Sequence, residues 1–392
     1  MGYIQYMKTL LLLLALTGWR QHETDSIYNK LVAVRRELHA HPELAGNEVH
    51  TQAFIQQYLL GLGLEVETGT YGHSVIGILK GAKPGKKIAW RAEMDALPND
   101  FPDEEEFRST VKGVQHGCGH DVHMAIALGI AEVLVKHKAS LAGTVYFIFQ
   151  PEEETFMGAK GMVESGLFNK ISPDEIYALH VTALPVGEIL VKPGEMFAYQ
   201  KRIRIKLKKD APMEIRKEIY AALSRVQNNS QPGEIQHVND PVIGLMNPNT
   251  VFKDYLIMDK FNTYSDKDTL FLETYLYETN KSNLIKILPE IKRICGDQLY
   301  SVAYIQENPT VVNDARLTRT AFGILKALHT DYGQVPYFND DFAYFQQKIP
   351  GVYFFLGGSN AALNHTPGFK VDEECMRVGV NSFSSLIIEK LK

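Results

Sequence analysis

The stretch Val145-Tyr146-Phe147-Ile148-Phe149-Gln150-Pro151-Glu152-Glu153-Glu154 sets the fold class, because a β-rich apolar run passes directly into a proline and three carboxylates. Similar runs occur at Val75 to Leu79, Ile88 to Ala92, Ile176 to Leu179 and Val352 to Leu356, with helical patterns between several of them, notably Val122 to Lys136. That alternation predicts an α/β fold with a parallel or mixed sheet covered by helices. Ahead of it, Ile27, Leu31, Val34 and Leu38 fall on one helical stripe ended by His41-Pro42. Val49, Ala53, Ile55, Leu59 and Leu60 make a second, less regular stripe that ends near Gly61 and Gly63.

The pattern changes between about Gly194 and Asn308. Ile203, Ile205 and Leu207 alternate with Arg202, Arg204, Lys206 and Lys208, as in a strand with one apolar and one basic face. A helical Met213 to Gln227 follows, then strand-like Leu256 to Phe261 and Leu270 to Tyr277, a helical Asn283 to Cys295, and strand-like Tyr300 to Ile305. The order β-α-β-β-α-β is that of a split ferredoxin-like unit, here inserted into the larger domain. The basic face reads as an ordinary solvated strand face.

A chain of 392 residues, 45% hydrophobic and 22% charged, has the balance of a folded protein, and its length predicts two or three domains. With 41 basic and 46 acidic residues the net charge is −5, and no basic run is long enough to track phosphates, so nucleic acid is excluded as a partner. Cys118, Cys295 and Cys375 are too few for a disulfide framework. Lys8 followed by the apolar run Leu10 to Leu16 suits a secretory signal over 1–19 and is too short to span a bilayer. Trp19 stands where a lipid-accepting cysteine would be, so the expectation is export, to the periplasm or medium, without a lipid anchor.

Polar residues gather where the strands end. Ile88 to Ala92 runs into Glu93-Met94-Asp95, and Val145 to Phe149 into the three glutamates. Ile176 to Leu179 ends at His180, and Val352 to Leu356 empties into a loop that reaches His365. In open α/β sheets the ligand crevice lies beyond the carboxyl ends of the strands, so these segments converge on one edge. His116-Gly117-Cys118-Gly119-His120-Asp121-Val122-His123 adds a thiol and imidazoles before a helix, with glycines that let the backbone turn. Taken singly, each residue has a plain explanation as a core or surface group; together they predict a metal site. His39, His41, His73, His137, His237 and His329 lack such neighbours and read as ordinary histidines.

The segments Arg36 to Leu44, Arg91 to Pro98, the Cys118 motif, Gln150 to Glu154, Leu179-His180-Val181 and His365-Thr366-Pro367 together resemble the amidohydrolase branch of the metal-dependent aminoacylase and carboxypeptidase superfamily. Hippurate hydrolases, N-acyl-amino-acid amidohydrolases and plant auxin-conjugate hydrolases belong to that branch. The resemblance implies a larger zinc-peptidase-like α/β catalytic domain with a mixed sheet over 25–196 and 309–392. It further implies an inserted α+β ferredoxin-like lid domain over 197–308, through which a homodimer forms. Cys118, His120, Glu154, His180 and His365 match the family's metal ligands, Glu153 its general base, and Asp95 the aspartate that supports the metals from behind. Five ligands suit two divalent ions sharing a water, and thiolate, imidazole and carboxylate donors accept zinc, manganese, cobalt or nickel. The implied reaction is hydrolysis of the amide bond of an N-acyl amino acid or small peptide.

Departures from the family are equally specific. Glu93 replaces an aspartate, Glu152 a small alanine, and Thr155-Phe156-Met157 a glycine-rich stretch. The histidine that reaches the substrate carbonyl from the inserted domain has no counterpart after Leu207, and His237 and Asn249 qualify by residue type only. These changes favour a second expectation: a catalytically weakened metal-bearing binding or sensing protein of the same fold. Retention of the unligated Glu153 weighs against it.

Overall fold

The computed structural model describes residues 25–223, 256–258, 261–278, 281–325, 339–359 and 362–392. The expected signal segment, His237, Asn249 and His329 lie outside them. The chain divides into two compact units. One comprises Met1–Val191, Asn313–Leu328 and Tyr344–Lys392, and the other Lys192–Val312 and His329–Ala343. The division was expected at 196/197 and 308/309.

The first unit opens with helix α1 over 25–40 and helix α2, Val49–Gly61. Its sheet contains β1 (Glu65–Thr68), β2 (Val75–Lys80), β3 (Lys83–Glu93), β4 (Ala142–Gln150), β5 (Glu175–Thr182), β6 (Ile189–Leu190) and the strand Gly351–Gly357. They are ordered β1-β2-β4-β3-β5-(Gly351–Gly357)-β6. β3 runs parallel to β4 and β5, and β5 parallel to Gly351–Gly357, while β1, β2 and β6 pair antiparallel. The sheet is therefore mixed with a parallel centre, and its four central strands deliver their carboxyl ends to one edge. The turn before β2 reaches the same edge, because Val75 pairs with Phe149.

Helix α3, His120–His137, is buried on nearly every side, as its uninterrupted apolar sequence requires, and packs between the sheet and the helices around it. Gly129 makes that packing close, since a Cβ there would stand 2.6 Å from Val380 Cγ2 and 2.7 Å from Leu31 Cδ1. Two expectations change. The α2 stripe is Thr51, Ile55 and Leu59, with Val49, Ala53 and Leu60 exposed, because the helix buries only a narrow face. β5 continues two residues past His180, which therefore sits inside the strand and not at its end; pairing with Gly351–Gly357 extends through Thr182.

The second unit has a five-stranded antiparallel sheet in the order Asn262–Asp266, Thr269–Glu278, Tyr199–Lys208, Leu299–Asn308, with Leu256–Met258 pairing off that path with Thr269–Glu278. Of the expected strand Leu256 to Phe261, Leu256–Met258 is a strand and Phe261 is not, residues 259–260 lie outside the described ones, and Asn262–Asp266 is a strand that the sequence pattern did not announce. Helices Met213–Leu223 and Lys281–Cys295 supply Ile219, Leu223, Leu284, Ile287 and Ile291 to a core with Ile203, Ile205, Leu207 and Leu272. The alternation in 202–208 sets this directly, its apolar residues entering the core and its cations staying outside. Arg202 and Arg204 share the buried Glu273, whose single charge offsets one of the four cations on the basic face.

Candidate metal centre

All the residues singled out in the sequence as ligands, base and support belong to the first unit and meet at its strand-end edge. Cys118, His120 and His180 form one donor group, Cys118, Glu154 and His365 a second, and His120, Glu153 and Glu154 a third, the donor atoms of each group lying within 4.8 Å of one another. The groups share members, so the set is one cluster. Within it Cys118 Sγ lies 3.2 Å from His180 Nε2, His365 Nε2 is 3.3 Å from Glu154 Oε1, and His120 Nε2 is 3.8 Å from Glu153 Oε2.

Local sequence explains how Cys118 and His120 get there. Gly119 has φ +95°, and a Cβ on it would stand 2.5 Å from Val181 Cγ2, so only glycine lets the chain turn from Cys118 into α3 against β5. His120 is then the first residue of the helix.

The donors fit divalent cations. His120 Nε2 is buried without a hydrogen-bond partner, which is costly unless another species satisfies it, and the buried Glu154 Oε1 has the His365 ring beside it. Burial and the nearby Glu154, Glu153 and Glu93 push the Cys118 thiol well above its ordinary value. Burial alone would lower His120, but the Asp95 hydrogen bond and the surrounding carboxylates push it up to about 10. Both shifts favour the protonated forms of Cys118 and His120, so ligation by these two requires giving up their protons.

The sequence pattern of Peptidase family M20/M25/M40 matches residues 89–389. The chain belongs to peptidase family M20/M25/M40. It is a hydrolase of amide or peptide bonds. It is 32% identical over 389 residues to thermostable carboxypeptidase 1 of Saccharolobus solfataricus, covering 94% of this chain and 97% of that one. It is also 30% identical over 375 residues to the N-acetylcysteine deacetylase of Bacillus subtilis, covering 91% and 97%. Among solved structures, the YxeP protein of Bacillus subtilis, described as a dinuclear metal-binding peptidase of the M20 family, superposes with a TM-score of 0.76 at 28% identity. The superposition covers 94% of this chain and 99% of that one.

In this M20-family hydrolase, the expected Asp95 is joined behind the donors by groups to which the sequence reading gave no role. Asp95 Oδ1 and Oδ2 accept the Glu153 and Glu154 N–H groups at 3.0 Å each, and its backbone oxygen pairs with His120 Nδ1 at 2.8 Å. His123 Nε2 accepts the Val181 N–H at 2.9 Å, so its Nδ1–H donates to Glu93 at 2.8 Å. Burial holds His123 below its ordinary value, consistent with that neutral tautomer. Burial alone would raise the Glu93 carboxyl, but Arg91 and His123 keep it well below the usual carboxylate range. His180 Nδ1 pairs with the Val181 oxygen at 2.7 Å, which leaves its Nε2 lone pair facing Cys118. Asn364 Nδ2 donates to the oxygens of Cys118 and Val181, at 2.7 and 3.0 Å, and ties three donor-bearing segments together. His365 itself has φ +63°, a left-handed conformation rare for histidine, and its N–H donates to Gly117 O at 3.0 Å.

The signal for Glu93 was its place beside Asp95 at a strand end, and His123 stood in the quoted motif. Asn364 had none beyond adjacency to His365. His39, read as ordinary, lies between Asp121 and Asp103 at 2.8 and 3.2 Å, with Arg35 also on Asp121 at 2.8 Å. That buried charge network anchors the start of α3 to α1.

Proposed function

We propose that the protein hydrolyses the amide bond of an N-acyl amino acid or small peptide, with Glu153 as general base. Cys118, His120, Glu154, His180 and His365 would hold two divalent cations, zinc or manganese foremost. The observation that carries this reading is the single cluster of overlapping donor groups, with the His120 Nε2 atom unpartnered and Glu153 beside it. Bound divalent ions at such donors polarise a carbonyl and acidify water. The chain's own residues do the rest. Glu153, nearly buried but able to face a reacting water, accepts a proton from the nucleophile and returns it to the departing nitrogen. Asp95 fixes the backbone of that base and of the adjacent ligand, so that two neighbouring glutamates keep separate tasks. The neutral His123 and the Val181 peptide present His180 in the tautomer a cation needs. Carboxypeptidase and deacetylase relatives support the substrate class, and the apolar run 10–16 after Lys8 supports export.

The test is an assay of purified protein with Mn²⁺ or Zn²⁺ against N-acyl amino acids and dipeptides, beside Glu153→Gln. Wild-type turnover should fall at least ~10²-fold in the variant with metal content unchanged. No turnover on any substrate, or equal turnover in the variant, would defeat the proposal and favour a binding or sensing role.

A further inference from the structure

Three consecutive amides, those of Glu152, Glu153 and Glu154, are gripped by two buried carboxyl groups. Asp95 takes the second and third; the first donates to Glu48 Oε1 at 2.9 Å. Glu48 is completely buried and immediately precedes α2, yet its side chain does not cap that helix. Glu43 does so instead, accepting the His50 and Thr51 N–H groups at 3.0 and 2.9 Å. Helix capping therefore does not account for Glu48. Backbone hydrogen bonds, to Glu152 among others, offset only part of the cost of burying the carboxyl, and its other oxygen, Oε2, has no hydrogen-bond partner. The residue it holds is strained as well, since Glu152 adopts φ +58°.

We propose that Glu48 is a positioning residue for proton transfer: by accepting the Glu152 amide it maintains the left-handed turn that sets the backbone of Glu153. The proposal rests on reading Glu153 as the general base. It assigns work to a carboxyl more than 100 residues away in sequence that touches no candidate ligand. The contact needs an acceptor oxygen, not a charge. Burial raises the Glu48 carboxyl to about 7, so its neutral form is accessible and a glutamine can take its place.

Metal-loaded wild type, Glu48→Ala and Glu48→Gln are compared by steady-state kinetics, metal content and amide hydrogen exchange over the segment containing Glu152 to Glu154. In Glu48→Ala, kcat should fall about 10- to 100-fold, the scale expected for a misplaced reacting group, with KM changed less than about threefold and full metal content. Exchange at 152–154 should accelerate, while α3 stays as protected as before. Glu48→Gln should restore both kcat and protection. Wild-type kcat in Glu48→Ala, or a Glu48→Gln as impaired as Glu48→Ala, overturns the proposal. If wild type turns over no substrate, the reading of Glu153 fails on its own. Hydrogen exchange then decides for Glu48, and unchanged protection at 152–154 in Glu48→Ala overturns its role.

Discussion

Glu48 also separates the pH dependence of this fold from that of its catalysis. Burial, reinforced by the charge of Asp95, raises its carboxyl from 4.5 to about 7 in the folded chain. Below pH 4.5 the group is protonated whether the chain is folded or not and contributes nothing to pH dependence. Between 4.5 and 7 the unfolded chain releases the proton while the folded chain keeps it, so stability falls as pH rises, and above 7 the loss is complete. Replacing the group by its neutral isostere removes that loss. Glu48→Gln should therefore be more stable than wild type by ~1–3 kcal/mol at pH 8 and nearly equal to it at pH 4, in urea melts at both values. An equal difference at the two pH values would mean that packing, not ionisation, sets it. The same residue marks the limit of what sequence could disclose. Cys118, His120, Glu154, His180 and His365 were legible because glycine spacing and strand ends advertise them. Glu48 and Asn364 bond backbone groups of distant segments, and such bonds leave no local pattern.

At the level of elements, an uninterrupted apolar run is read easily and its exact extent is not. The strands at Ile88, Val145, Ile176 and Val352 all appear in the structure, each longer than its apolar core, because ladder pairing continues into the residues on either side. This extension carries Glu93 and His180 into β3 and β5. The α2 stripe was misread because apolar residues alone do not say how much of a short surface helix is covered. α3 is the opposite case, buried all round, and its position is set at Gly129, where Leu31 of α1 and Val380 of the C-terminal helix Glu374–Lys390 close in. Gly129→Val would gain helix propensity only slightly but must displace two side chains in a filled core. A net loss of ~2–3 kcal/mol is expected, seen as a lowered Tm with metal stoichiometry unchanged. An unchanged Tm would show that α3 has room to shift.

For the molecule as a whole, the inserted unit was foreseeable from the change of periodicity near Gly194, since strict alternation in 202–208 cannot serve a strand buried on both faces. Its boundaries were less so, because short connecting strands carry little pattern. Each unit has a separate apolar core, Ile203 to Cys295 in one, Ile27 to Leu391 in the other, and every candidate ligand belongs to the latter. A ligand that binds only the folded state stabilises what must stay folded to hold it, by ~2.7 kcal/mol at a hundredfold excess over Kd and ~4.1 at a thousandfold. Adding Zn²⁺ or Mn²⁺ to chelator-stripped protein should therefore raise one calorimetric transition, that of the unit carrying Cys118 and His365, and leave the other in place. Cys118→Ser, which removes a shared donor, should reduce the shift. Equal movement of both transitions would show that the units melt together, and no movement at saturating metal would mean that the clustered thiol, imidazoles and carboxylates do not bind these ions.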